Sequence, residues 1–240
     1  MERHFDQELE ALKGQLRLMG GRTEAIIQKS VEALKRRDRA PAEAVLEDDR
    51  AIDRLEIDIE ERCVGLLALR QPLAADLRSI TAALKISNDL ERMGDHAVNI
   101  AGCAMRLAEV PPVKPLVDIP RMADMAASML RDALDAFARR DAVTARRLCR
   151  RDDEVDRLND QIFRELLSFM MEDPGTITGA MELILVARNL ERVADLATNI
   201  AEEVVFIAEA RIIKHHVEEA PTGGKAGGTP GPVEDDFGRS

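Results

Sequence analysis

Four pairs of carboxylates sit four residues apart along the chain: Asp49 with Asp53, Glu91 with Asp95, Asp152 with Asp156 and Glu191 with Asp195. On a helix that spacing puts both acids on one face, where like charges destabilise by about 0.2–0.5 kcal/mol per pair. Something must compensate them. At about 100° per residue, Glu91 and Asp95 share a stripe with Leu77, Ile80 and Leu84, with Val98 beyond. Glu191 and Asp195 share one with Ile177, Ala180 and Ile184. Asp49 and Asp53 align with Leu46, Val64 and Leu67, and Asp152 and Asp156 with Cys149, Phe163 and Leu167. Acids that interrupt apolar stripes belong on or near a helix–helix seam, where a carboxylate is costly unless paired or metal-bound. Two compensations stay open. One is an arginine network drawn from Arg54, Arg92, Arg157 and Arg192, although an i+1 neighbour points about 100° away, so Arg92 does not face Glu91's side. The other is a cation held by four oxygen ligands in each half of the chain. Such hard ligands suit Mg²⁺, Mn²⁺, Ca²⁺ or iron better than a structural zinc site.

The elements that must position these acids are helices. The 240-residue chain is 45% hydrophobic and 33% charged, with six Phe and no Trp or Tyr; strand-rich proteins carry more aromatic and β-branched residues. From Phe5 to about Arg36, Leu9, Leu12, Leu16, Met19, Ile26 and Ser30 recur at helical spacing, with Thr23 filling the gap. A second helix is expected from Pro41 to Leu69, ended by Gln71–Pro72, and a third from about Leu73 to Ala108. Residues 110–120 contain four prolines and read as a stiff linker. Three more helices are expected over about 120–139, 142–171 and 175–214, with a turn at Asp173–Pro174–Gly175. The Gly/Pro-rich residues 216–240 read as a disordered tail.

The halves repeat. Residues 90–101, LERMGDHAVNIA, match residues 190–201, LERVADLATNIA, at eight of twelve positions with an offset of 100. Ile52-Asp53-Arg54-Leu55 matches Val155-Asp156-Arg157-Leu158 at an offset of 103. Two separate segments matching in the same order point to two copies of one three-helix unit, 5–109 and 119–215, joined by the linker at 110–118. The expected fold is all-α: two pseudo-symmetric three-helix bundles with six long helices.

The formal net charge of −11 and the lack of a basic, aromatic-bearing stripe argue against nucleic-acid binding. Cys63, Cys103 and Cys149 have no CxxC spacing and read as reduced packing residues. With no apolar leader and no apolar run of about 18 residues, the expected location is the cytosol. His96 has no counterpart in the second half, where Leu196 stands, and reads as a surface or partly packed histidine; His215 and His216 read as helix-end residues.

These motifs together resemble the PhoU family: Asp49-x-x-Ile-Asp53, Gln71-Pro-Leu-Ala-Ala-Asp-Leu-Arg78, the two LER-x-x-D segments ending in Asn99-Ile-Ala and Asn199-Ile-Ala, and the opening Phe5-x-x-Glu-Leu-x-x-Leu. The resemblance covers about residues 5–214; the tail and the lack of a second Gln-Pro run depart from it. It implies metal clusters on Asp49, Asp53, Glu91 and Asp95 in the first half and on Asp152, Asp156, Glu191 and Asp195 in the second, the metal being iron, Mn, Mg or Zn. It implies a negative regulator of the phosphate-starvation response and of phosphate uptake, without enzymatic activity. The implied partners are the PstB-like ATPase of the phosphate ABC transporter and a PhoR-like sensor histidine kinase, with a second copy of the chain as a homodimer and a place at the inner membrane only through partners. Two other readings compete: a metal-free helical adaptor for another transporter, and a ferritin-like di-iron enzyme. The latter needs Glu-x-x-His on two helices, and none of the four histidines has a Glu three residues earlier.

Overall fold

A computed structural model describes the backbone of residues 2–210 and the side chains of residues 5–210. His215, His216 and the tail at 216–240 lie outside the described residues. Helices α1 (Glu2–Arg36), α2 (Arg39–Arg70) and α3 (Ala74–Leu107) form the first bundle. Helices α4 (Asp118–Arg139), α5 (Ala142–Cys149), α6 (Asp152–Glu172) and α7 (Ile177–Glu209) form the second. The described residues contain no strand. The fold is therefore the expected pair of helical bundles, with one correction: the helix expected over 142–171 is broken. Around the break, Arg151 N–H bonds to Leu148 C=O and Glu154 N–H to Arg151 C=O, both i→i−3, which tightens the helix. The Arg151 guanidinium is drawn onto α4, 2.5 Å from Asp132 and 2.7 Å from Ser128 Oγ. Asp152, Asp153 and Glu154 then favour a fresh helix N-terminus through its dipole.

Local chemistry sets the other ends. Asp38 caps α2 by accepting from the Ala40 N–H, and α2 ends on Gln71 in a left-handed conformation (φ 46°) before Pro72. Arg140 takes the same conformation (φ 52°) at the end of α4, and Asp141 caps α5 by accepting from the Val143 and Thr144 N–H groups. A 3-10 turn, Pro174–Thr176, replaces in the second hairpin the three residues that join α2 to α3 in the first. The 110–118 linker is tied down: Arg37 donates to the carbonyls of Ala108 and Val110, and Lys114 pairs with Asp118 and Glu165.

The core runs through both bundles without interruption. The stripe of Leu12, Leu16, Met19 and Ile26 on α1 is buried, and Thr23 sits in it with its hydroxyl donating to Met19 C=O at 3.1 Å. The bundles join mainly through α3 and α7. Lys85 meets Glu203 at 2.7 Å, His96 meets Asn189 at 2.9 Å and Arg106 meets Glu182 at 2.7 Å, so the two helices run antiparallel. The midpoint of that pairing falls near Gly94 and Ala194, equivalent positions in the two repeats, which is the arrangement a local two-fold requires. A second contact joins α1 to α4, where a Cβ at Gly20 would collide with Leu134. Cys63, Cys103 and Cys149 are free and buried, as packing residues should be.

Gly20→Val forces Leu134 out of its place in a filled interface. Overpacking of this kind should lower stability by about 1–3 kcal/mol, read as a shift of the urea midpoint.

Candidate functional site

Antiparallel α2 and α3 bring Asp49 and Asp53 alongside Glu91 and Asp95. The Asp49 carboxylate lies against the backbone of α3, with Oδ1 2.6 Å from where a Cβ on residue 94 would stand. Only glycine permits that approach. Asp49 and Glu91 are half-buried, while Asp53 and Asp95 face solvent. Burial, then the charges of Asp53 and Asp95, push the Asp49 carboxyl up to about 6. Burial, then Asp95, Glu56, Asp53 and Asp49, push Glu91 up to about 7. The charges that act most strongly on Glu91 are all negative, and among the described residues none of Asp49, Asp53, Glu91 and Asp95 forms an ion pair.

The second cluster stands on the equivalent seam between α6 and α7. Carboxylate oxygens of Asp152, Asp156 and Asp195 all lie within 4.8 Å of one another. Asp152, the first residue of α6, is buried, 8% exposed. Glu191 is half-buried, and its carboxyl is raised by burial first and by Asp195 next. Here arginine does enter. Arg192 pairs with Asp195 at 2.9 Å and approaches Glu191 at 3.8 Å. The expectation that an i+1 arginine turns away holds for Arg92, which reaches back to Asp89 at 3.5 Å, but not for Arg192. Asp195 stands three residues on, a neighbouring place on the helix surface that the Arg192 side chain reaches directly.

The stripes that carry the acids are only partly buried. Leu46, Val64, Leu77, Phe163, Leu167 and Ile177 are each 40–55% exposed, whereas Ile80, Ala180 and Cys149 on the same stripes are buried, so each stripe passes from the core to the outer lip of its seam. Sequence reasoning missed several participants. Glu56, one turn beyond Asp53, acts on Glu91 and accepts from Asn88 at 3.4 Å. Glu202 lies two turns along the Asp195 stripe; its carboxylate and that of Asp152 add to the burial that pushes the Cys149 thiol up to about 11. Acid spacing would have found both. Gly94 would not have been found, since its role depends on what approaches it. His96 is partly buried and bonds to Asn189 across the bundle interface rather than to the acids.

Comparison with known proteins agrees with this architecture. The sequence model of the PhoU domain matches residues 16–104 and again residues 119–204, one copy per bundle. The chain belongs to the PhoU family. It is 44% identical over 214 residues to the phosphate-specific transport system accessory protein PhoU homolog of Aquifex aeolicus, covering 89% of this chain and 97% of that protein. The crystal structure of PhoU from Pseudomonas aeruginosa superposes with a TM-score of 0.82 at 39% identity, over 86% of this chain and all of that one. The phosphate transport system regulatory protein PhoU from Streptococcus pneumoniae gives the same TM-score at 30% identity, over 88% of this chain. The PhoU repeats thus coincide with the two acid-bearing hairpins. Within this family frame, among the described residues no helix is long and apolar enough to cross a membrane.

The raised carboxyls make a pH prediction. A carboxyl raised by folding holds its proton more firmly in the folded state, so metal-free stability should fall as pH climbs from about 4 to about 7, through the ranges of Asp49 and Glu91. Glu91→Gln should raise the melting temperature of chelator-treated protein at pH 8 by about 2–4 °C, the effect of roughly 1 kcal/mol on a chain of this size. The gain should vanish at pH 4.

Proposed function

We propose that this PhoU-family protein is an accessory protein of a phosphate transport system that restrains phosphate uptake and the phosphate-starvation response. In this reading it couples the transporter's PstB-like ATPase to a PhoR-like sensor kinase by protein contacts, as a homodimer on the cytoplasmic side of the inner membrane. It performs no chemistry of its own; docking shifts the populations of its partners' states by differential affinity. The carboxylate pairs bind metal. One observation carries this part: two sets of acids, distant in sequence, are gathered on equivalent seams, and among the described residues the first set forms no ion pair.

The residues fit a cation. Asp49, Asp53, Glu91 and Asp95 would hold one ion or cluster, and Asp152, Asp156, Glu191 and Asp195 the other. All donors are carboxylate oxygens, which select Mg²⁺, Mn²⁺, Ca²⁺ or iron. Such an ion supplies positive charge that relieves the like-charge repulsion and ties α2 to α3 and α6 to α7. Gly94 lets Asp49 sit deep enough to be the inner ligand of the first site. The phosphate transport accessory role named for the relatives supports the transport reading, and the acid clusters support the metal.

Elemental analysis of protein purified without chelator should find metal, and Glu91→Gln/Asp95→Asn combined with Glu191→Gln/Asp195→Asn should abolish it while far-UV circular dichroism stays helical. Metal-free wild type with no melting-temperature rise on adding Mn²⁺ or iron would argue for a metal-free adaptor. Deleting the gene should raise alkaline phosphatase in phosphate-rich medium, and the wild-type gene should restore repression. Unchanged output would sink the regulatory reading.

A further inference from the structure

We infer that the two carboxylate sites are unequal by construction, because the second carries its own competing cation, Arg192, and residues 89 and 189 decide where the repeat arginine goes. This inference rests on the metal-binding reading above. The two repeats have the same LER segment, so Arg92 and Arg192 leave their helices at equivalent positions. Three residues earlier stands Asp89 in the first repeat and Asn189 in the second. Asp89 is 8% exposed and takes Arg92 at 3.5 Å, back along α3 and away from the site. Asn189 offers no charge. Its Oδ1 meets His96 Nδ1 at 2.9 Å, and its Nδ2 donates to Leu185 C=O at 2.7 Å. Arg192 therefore turns forward to Asp195, at 2.9 Å, into the acid cluster.

A second exchange acts the same way. Asn88 in the first repeat is Arg188 in the second. Asn88 donates to Glu56, whereas Arg188 adds positive charge near Glu191, alongside that of Arg192. The first site thus meets a metal ion with no arginine paired to its acids among the described residues. The second must give up an ion pair on Asp195 before that carboxylate can serve as a ligand. Metal entry into the second site releases Arg192, so loading there is coupled to freeing an exposed guanidinium beside the seam. The first site is built for standing occupancy and the second for exchange as metal level changes.

The test compares variants within each site, because Glu202 enriches the second site alone. Full-length protein is titrated with Mn²⁺, free ion being read by electron paramagnetic resonance. Glu91→Gln/Asp95→Asn leaves the second site; there Arg192→Gln and Asn189→Asp should each tighten binding by about threefold to tenfold, and Arg192→Lys should stay near wild type. Asp156→Asn/Asp195→Asn leaves the first site; there Asp89→Asn should release Arg92 toward Asp95 and weaken binding by a similar factor. The Arg192→Gln gain should shrink in 1 M salt, as a screened ion pair requires. Circular dichroism verifies that each variant stays folded. Mn²⁺ binding that Arg192→Gln leaves unchanged overturns this inference while the metal reading stands. Wild-type protein that binds neither Mn²⁺ nor, under argon, Fe²⁺ overturns both.

Discussion

Helices α3 and α7 each have three faces to satisfy, and the rest of the molecule follows from how they do it. One face fills its own bundle, with Ile86, Leu90, Met93 and Ile100 on α3 and Val186, Leu190, Val193 and Ile200 on α7 fully buried. A second face meets the other long helix across the bundle interface. The third carries the acids. Truncating one of the large core side chains to Ala costs about 2–5 kcal/mol, whereas an unrelieved acid pair on a helix costs a few tenths. Core burial therefore outweighs the charge repulsion by a wide margin. The fold can keep the acids together without any ion and still be stable.

That ordering of energies explains the glycines. At Gly20 the missing Cβ admits Leu134 of α4, so the bundles close on one another through apolar packing. At Gly94 the missing Cβ admits a carboxylate instead. A glycine inside a helix costs about 1 kcal/mol relative to Ala. At Gly94 the return is not stability, because the approach forces Asp49 into a half-buried place among like charges. The local cost is tolerated at the position that sets the depth of the site. Ala194 takes the equivalent place in the second repeat, where the buried acid is Asp152, the first residue of α6.

Much of this was legible in the sequence, and the exceptions share a cause. The helical periods of α1 to α4, the proline linker, the repeat and the eight acids all depend on neighbours along one chain segment, which spacing arithmetic captures. The break at Arg150–Arg151 did not show, because it depends on Asp132 and Ser128 nineteen and more residues away pulling the Arg151 side chain. Gly94 hid its role for the same reason. The Arg192–Asp195 pair went unread because each arginine was weighed only against the acid beside it, while an acid three residues on is a neighbour on the helix surface. Periodicity placed the acids on the helix seams but left the depth of each seam open, because it finds a shared face and not how far that face turns from solvent.

The repeat itself gives the reason to expect unlike halves. Once a unit is duplicated, the two copies share a backbone frame fixed by the core, and substitutions at the seam alter charge without disturbing packing. Asp89 against Asn189, Asn88 against Arg188 and Gly102 against Glu202 are all changes of this kind. None is among the fully buried apolar side chains of the core, although Asn189 also bonds to His96 across the bundle interface. A symmetric scaffold can in this way carry a cluster without ion pairs on one side and a self-paired one on the other. The arginine that pairs the second cluster is half exposed, so its hold on Asp195 is weak enough to yield to a multivalent cation and strong enough to quiet the repulsion when none is present.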